Sequence, residues 1–133
     1  MAYIPDSDIS QDMLASQFSS SFSTYHTLVD NHINELAEGE QVEISDIATD
    51  TGTGYITSKF LRRYCKYWFC MMLFLDKMGI NDNSLADEEK YRVKYELYKD
   101  LVNDMVGNIT VEMLTNEIAS RMSTSYSGNL YRG

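Results

Sequence analysis

Residues 55–78 read YITSKFLRRYCKYWFCMMLFLDKM, and no other stretch restricts the fold as tightly. Ile56, Phe60, Tyr67, Met71, Phe74 and Met78 fall along one helical stripe, and Leu61, Tyr64, Trp68, Met72 and Leu75 along a second beside it. A helix brings residues three or four apart onto one face, so the two stripes can be buried together. Every residue from 67 to 75 is apolar or aromatic, which predicts that this part is surrounded on nearly all sides. Lys77 suits the negative end of a helix dipole, and Gly79 suits the turn that stops one. The expectation is an all-α fold: a small helical bundle of about five helices around a central apolar helix at 55–78. A long acidic loop precedes that helix, and an extended C-terminal arm closes the chain.

Length and charge restrict what such a bundle can do. At 133 residues, 44% of them hydrophobic, the chain suits a single α-helical domain over 1–122 with the arm at 123–133. The apolar run at 67–75 is far shorter than the roughly 20 residues that span a bilayer, which predicts no membrane role. The first residues show neither a basic region nor an apolar core segment, so no signal peptide is read there and synthesis in the cytoplasm is expected. Cys65 and Cys70 are five apart on the proposed helix and do not pair there; they read as reduced, small core residues. Residues 1–58 contain ten acids and no Lys or Arg, whereas all eleven basic residues lie from Lys59 onward. That argues against a general or sequence-specific nucleic-acid binder, which needs cations to replace condensed counterions. The acidic half reads either as a solvated surface or as one that docks on a basic neighbour.

Along the chain, Leu14, Phe18, Phe22, Tyr25, Val29, Ile33 and Leu36 keep helical spacing. The serines between 16 and 23 weaken it, because Ser competes for backbone hydrogen bonds. Two helices are expected, at about 8–19 and 23–37, with Gly39 closing the second. Residues 38–54 form the acidic connection, with a short strand possible at 42–44. After the central helix, Ser84 and Asp87 resemble a capping box. Tyr91, Tyr95, Tyr98, Val102 and Met105 make the next stripe, widened by Leu97, Leu101 and Val106, and Gly107 ends it. Thr110 is expected to cap a last helix carrying Leu114, Ile118 and Met122.

The residues offer no constellation for chemistry: no catalytic, cofactor-binding or metal-binding set is predicted, and the chain reads as a non-enzyme. His26 and His32 are six apart, outside any metal-binding spacing. Neither cysteine has a base or an oxyanion hole signalled nearby. Twenty acids cannot be sorted into a catalytic pair by sequence. One cluster stands out. Lys59, Arg62, Arg63 and Lys66 share a helix face one turn from its start and form the chain's one basic cluster. It reads either as an internal balance to the acidic half or as a contact for an acidic surface on a neighbouring subunit. In the arm, Tyr126, Leu130, Tyr131 and Arg132 read either as plain terminal disorder or as anchors that order on a partner surface.

The order of elements resembles that of small phage head–tail connector (adaptor) proteins. YIPDSDIS at 3–10 is similar to their Tyr-Ile plus acidic helix start, and TYHTLVDNHINELA at 24–37 to the amphipathic helix that follows. A variable loop, long helices with aromatic stripes and a C-terminal arm complete the plan. This chain departs from it in the more apolar helix at 64–75 and in the lack of basic residues in the first half. The resemblance implies a structural virion protein that forms a homo-oligomeric ring between the portal and the rest of the neck or tail, with the arm on the portal. It implies no cofactor and no enzymatic role. Two rival classes remain: a small acidic binding or inhibitor protein, such as a nucleic-acid mimic, and a helical enzyme whose site is assembled from scattered residues.

Overall fold

The computed structural model describes residues 2–78 and 85–115. They form six α-helices where about five were expected for the whole chain: α1 Asp6–Ser10, α2 Met13–Ser16, α3 Phe22–Gly39, α4 Lys59–Met78, α5 Leu85–Val106 and α6 Val111–Thr115. Turns of 3-10 helix lie at Ser19–Ser21 and Ile44–Asp46. Among the described residues there is no strand, only an isolated antiparallel bridge between Thr49 and Ile56. The all-α bundle is therefore what forms.

The central helix starts at Lys59, not at 55. Ser58 sets that boundary: its Oγ accepts the N–H of Leu61 at 3.2 Å and its carbonyl the N–H of Arg62 at 2.9 Å. Ile56 is still buried, but from extended backbone whose N–H donates to the Tyr3 carbonyl at 2.8 Å. The buried face of α4 is Leu61, Tyr64, Cys65, Phe69, Cys70, Leu73 and Phe74. Of the two stripes read from the sequence only Leu61, Tyr64 and Phe74 belong to it; Cys65, Phe69, Cys70 and Leu73 lie on neither, and most of the stripe residues are only half-buried. Phe69 lies at its centre, edge-on to Phe22 at 5.2 Å and to His26 at 4.9 Å, and tilted against Tyr25 at 5.6 Å. Burial on nearly all sides is not met. Leu75 is 39% exposed, and Tyr67, Trp68, Met71 and Met72 are half-buried. Two long helices and the short N-terminal ones cover less than the whole circumference of α4.

α3 runs antiparallel to α4. Near its start Tyr25 donates its hydroxyl to Asp76 at 2.8 Å, and further on His32 meets Tyr64. Its buried residues, Phe22, Tyr25, Val29, Ile33 and Ala37, keep the predicted stripe. α5 is antiparallel to α4 on another side: Phe74 stacks on Tyr91 and Tyr98, each at 6.1 Å, and Tyr67 lies 5.9 Å from Tyr98. Tyr91, Tyr98 and Val102 are buried, but Leu97 and Val106, expected to widen this face, are exposed. α5 stops just before Gly107, and Thr110 caps α6 by accepting the N–H of Met113 at 3.3 Å.

Two local expectations change. The helix foreseen at 8–19 is two single turns, α1 and α2, because the Asp12 carboxylate captures the N–H groups of Leu14 and Ala15 at 2.9 and 3.0 Å and restarts the helix there. The strand foreseen at 42–44 is absent: the Val42 N–H turns back to the Ala37 carbonyl at 2.8 Å, and Ile44 opens a 3-10 turn. The acidic connection is tied down at several points, with the Ala48 N–H on the Leu114 carbonyl at 2.7 Å and the Thr57 N–H on the Ala48 carbonyl at 3.3 Å. The stop at Gly79, Ser84 of the capping box, the stripe residues Ile118 and Met122 and the arm at 123–133 lie outside the described residues.

Candidate functional site

The basic cluster occupies the first two turns of α4, with Lys59, Arg62, Arg63 and Lys66 at helical steps of three, one and three. Ser58 fixes where the helix begins and so fixes which way this face turns, toward α1 and its exit. There the Arg62 guanidinium forks onto Asp8, Nε donating at 2.8 Å and Nη2 at 3.3 Å to the two carboxylate oxygens. Its cation also lies 5.6 Å from the centre of the Tyr55 ring. The bond to Asp8 raises the Arg62 pKa above its ordinary value against a smaller opposing effect of burial. Lys66 Nζ donates to Gln11 Oε1 at 2.8 Å. Asp8, Gln11, the four cations and Tyr67 together line a surface cleft of about 360 Å³.

The cluster thus divides. Arg62 and Lys66 hold the N-terminal turns onto α4, which is the internal reading. Lys59 and Arg63 are exposed and have no ion pair among the described residues, which leaves them for an external acid. Tyr126, Leu130, Tyr131 and Arg132 lie outside the described residues, so nothing places them relative to this cleft.

A second surface lies on the loop after α3. Glu38, Gln41, Val42, Glu43, Ile44 and Ser45 line one shallow hollow, and Glu40, Gln41, Val42, Asp46, Val111 and Thr115 line its neighbour. Ile44, in the wall of the first, is 50% exposed.

Two polar centres were missed by sequence reasoning. Asp12 is the one buried charged residue among those described, at 7% exposure. Besides capping α2, it accepts from Lys94 Nζ at 3.0 Å and from the Tyr98 hydroxyl. Burial opposes its ionisation, but the bonds from Tyr98, the Ala15 N–H and Lys94 outweigh it and hold its pKa below the usual carboxylate value. Burial, with Asp12 beside it, pushes the Tyr98 hydroxyl far upward. The other centre is His32, stacked flat on Trp68 at 4.4 Å with its Nε2 2.7 Å from the Tyr64 hydroxyl. Burial lowers the His32 pKa and pushes that of Tyr64 up to about 12. The only sequence signal for either was a Asp ahead of an apolar turn and a His on the predicted α3.

Burial pushes Cys70 up to about 12 and Cys65 higher still, so both are neutral thiols in a core and not nucleophiles at neutral pH. Both carboxylate oxygens of Asp12 are engaged, Oδ1 in capping α2 and Oδ2 by Lys94 and Tyr98 of α5. Among the described residues no group of three or more His, Cys, Asp or Glu is placed to hold a metal ion. No helix among them is long and apolar enough to cross a membrane. What the surface offers is a built basic cleft with two cations left over. Compared with family models, curated proteins and solved structures, the chain matches none of them.

Proposed function

We propose that this chain is a structural assembly protein: a head–tail connector that forms a homo-oligomeric ring in a phage neck, between the portal and the neighbouring neck or tail proteins. It would be made in the host cytoplasm and would work in the virion. The observation that carries the reading is the cleft at the start of α4, where two cations are committed internally and Lys59 and Arg63 face outward. A rigid helix presenting a guanidinium and an ammonium suits a carboxylate-bearing protein surface. The order of elements read from the sequence, short acidic turns, an amphipathic helix, a loop and two long aromatic helices, supports the connector within that class. The acidic half, without a single Lys or Arg before residue 59, supports a protein partner over nucleic acid. The anchors Tyr126, Leu130, Tyr131 and Arg132 would supply the portal contact.

The test uses the purified chain and a portal ring, with mass measured in solution. The parent should join the portal, and a chain truncated before residue 124 should keep its helical circular dichroism and fail to join. A parent that stays apart from the portal at low salt would remove the connector reading and favour the small acidic inhibitor class.

A further inference from the structure

We infer that the cleft on α4 receives the acidic 3-10 turn at Ile44–Asp46 of a second copy of this chain. The inference rests on the ring reading above and names the two surfaces that would meet. It stands on three observations.

The first is charge. Glu38, Glu40, Glu43 and Asp46 are all exposed, and none has an ion pair with a described basic residue. Lys59 and Arg63 are exposed and likewise without an acid. One chain thus displays two opposite sets of unused charge on surfaces that share no residue. The second is the apolar content of the two surfaces. Ile44, 50% exposed, lies among the acidic set, and the Tyr67 ring lies in the wall of the basic cleft. An exposed apolar side chain among carboxylates complements an aromatic ring among cations. Burying Ile44 would add an apolar contribution that an ion pair at the surface lacks. The third is precedent within the fold. The cleft already holds a carboxylate on a short helical turn, Asp8 of α1, forked on Arg62. A second carboxylate in the cleft would find Arg63 without an acid of its own.

The two surfaces differ, so the contact is head-to-tail. Contacts of that kind close into rings when the rotation per subunit allows.

Two charge-reversed variants test it. One carries Lys59→Glu with Arg63→Glu, and the other Glu43→Lys with Asp46→Lys. Arg62 and Lys66 are left alone because they hold α1 and the residues after it. Self-association is followed by sedimentation over a concentration series at low and high salt, with circular dichroism to check folding. The parent should associate and weaken as salt rises. Each variant alone should associate at least tenfold more weakly, since like charges then face each other. An equimolar mixture should recover association, because each variant then meets an opposite charge in both directions. Ile44→Ala, at an exposed position that leaves the core intact, should weaken association without changing its salt dependence. A parent that associates while both variants do so equally well would overturn the contact and leave the ring reading standing. Failure of the mixture to recover association would do the same. A parent that remains a monomer throughout the series would overturn the contact and the ring together.

Discussion

Phe69 and Asp12 sit at the centres of two regions that are held by different forces. Around Phe69 rings gather: Phe22, Tyr25 and His26 from α3 pack on it, and Phe74, five residues on, stacks with Tyr91 and Tyr98 of α5. Around Asp12 there are donors: two backbone N–H groups, an ammonium and a phenol share one carboxylate. The same style of fastening recurs through residues 2–12. His26 meets Asp6 at 2.5 Å, Arg62 meets Asp8, and the Tyr3 N–H donates to Asp30 at 3.1 Å. Ring packing is non-directional and loses free energy with area. Carboxylate fastening is directional and depends on protonation. The N-terminal layer should therefore open at lower cost than the α3–α4–α5 core, as separate cooperative units do in other domains.

The largest expected effect lies in the core. Phe69→Ala should cost about 3–5 kcal/mol, the range for truncating a fully buried aromatic. Trp68→Ala should cost clearly less, because Trp68 is half-buried and covers His32 rather than filling the centre. Urea unfolding of both variants checks this. Equal losses would place the core's centre between the two residues and blur the contrast with the Asp12 layer.

Next in size is Asp12→Ala, at about 2–4 kcal/mol, from a lost N-cap and a buried Tyr98 hydroxyl left without its acceptor. Hydrogen exchange should show residues 6–21 losing protection while α4 amides keep theirs; a uniform loss over both would merge the two regions into one unit. The pH dependence sharpens the point. The folded pKa of Asp12 lies below the ordinary value, so its contribution is complete above about pH 4 and lost as pH falls through the folded value. Burial raises the Asp30 pKa, so that group acts in the opposite sense: its contribution is present below about pH 4 and lost as pH rises through its folded value. The variant lacking Asp12 should therefore show a shallower loss of stability in acid than the parent.

This contrast also explains what could be read in the sequence. The core was legible because burial leaves a period: Phe22, Tyr25, Val29 and Ile33 on α3, and Tyr91, Tyr98 and Val102 on α5, are buried where their spacing put them. On α4 the period was diluted, since apolar residues surround the helix from 67 to 75. The buried line through Cys65, Phe69 and Leu73 could not be separated from its half-buried flanks. The polar layer left no period at all. Asp12 looks like nineteen other acids until α5 brings Lys94 and Tyr98 to it, from more than eighty residues away. The basic cluster was legible as a face, but its division into committed and open cations depends on where Asp8 and Gln11 lie.

The smallest expected effect lies outside both regions, at the end of α3. Gly39 was the residue expected to close that helix. It remains helical instead, and a Cβ built on it meets nothing within 4 Å. The left-handed residue is Gln41, with φ of 62°. Its N–H bonds the Glu38 carbonyl at 3.0 Å, and the next N–H, of Val42, bonds the Ala37 carbonyl at 2.8 Å. That pair of bonds is a Schellman closure with Gln41 at the position where glycine is usual. A side chain there strains the backbone, while glycine at 39 adds unfolded-state entropy without using its freedom. Gln41→Gly should therefore stabilise the fold by up to ~1 kcal/mol, and Gly39→Ala by a similar ~0.5–1 kcal/mol. Each should raise the thermal midpoint by about 3 °C. A loss of stability from Gly39→Ala would return the helix stop to Gly39 and remove the strain assigned to Gln41.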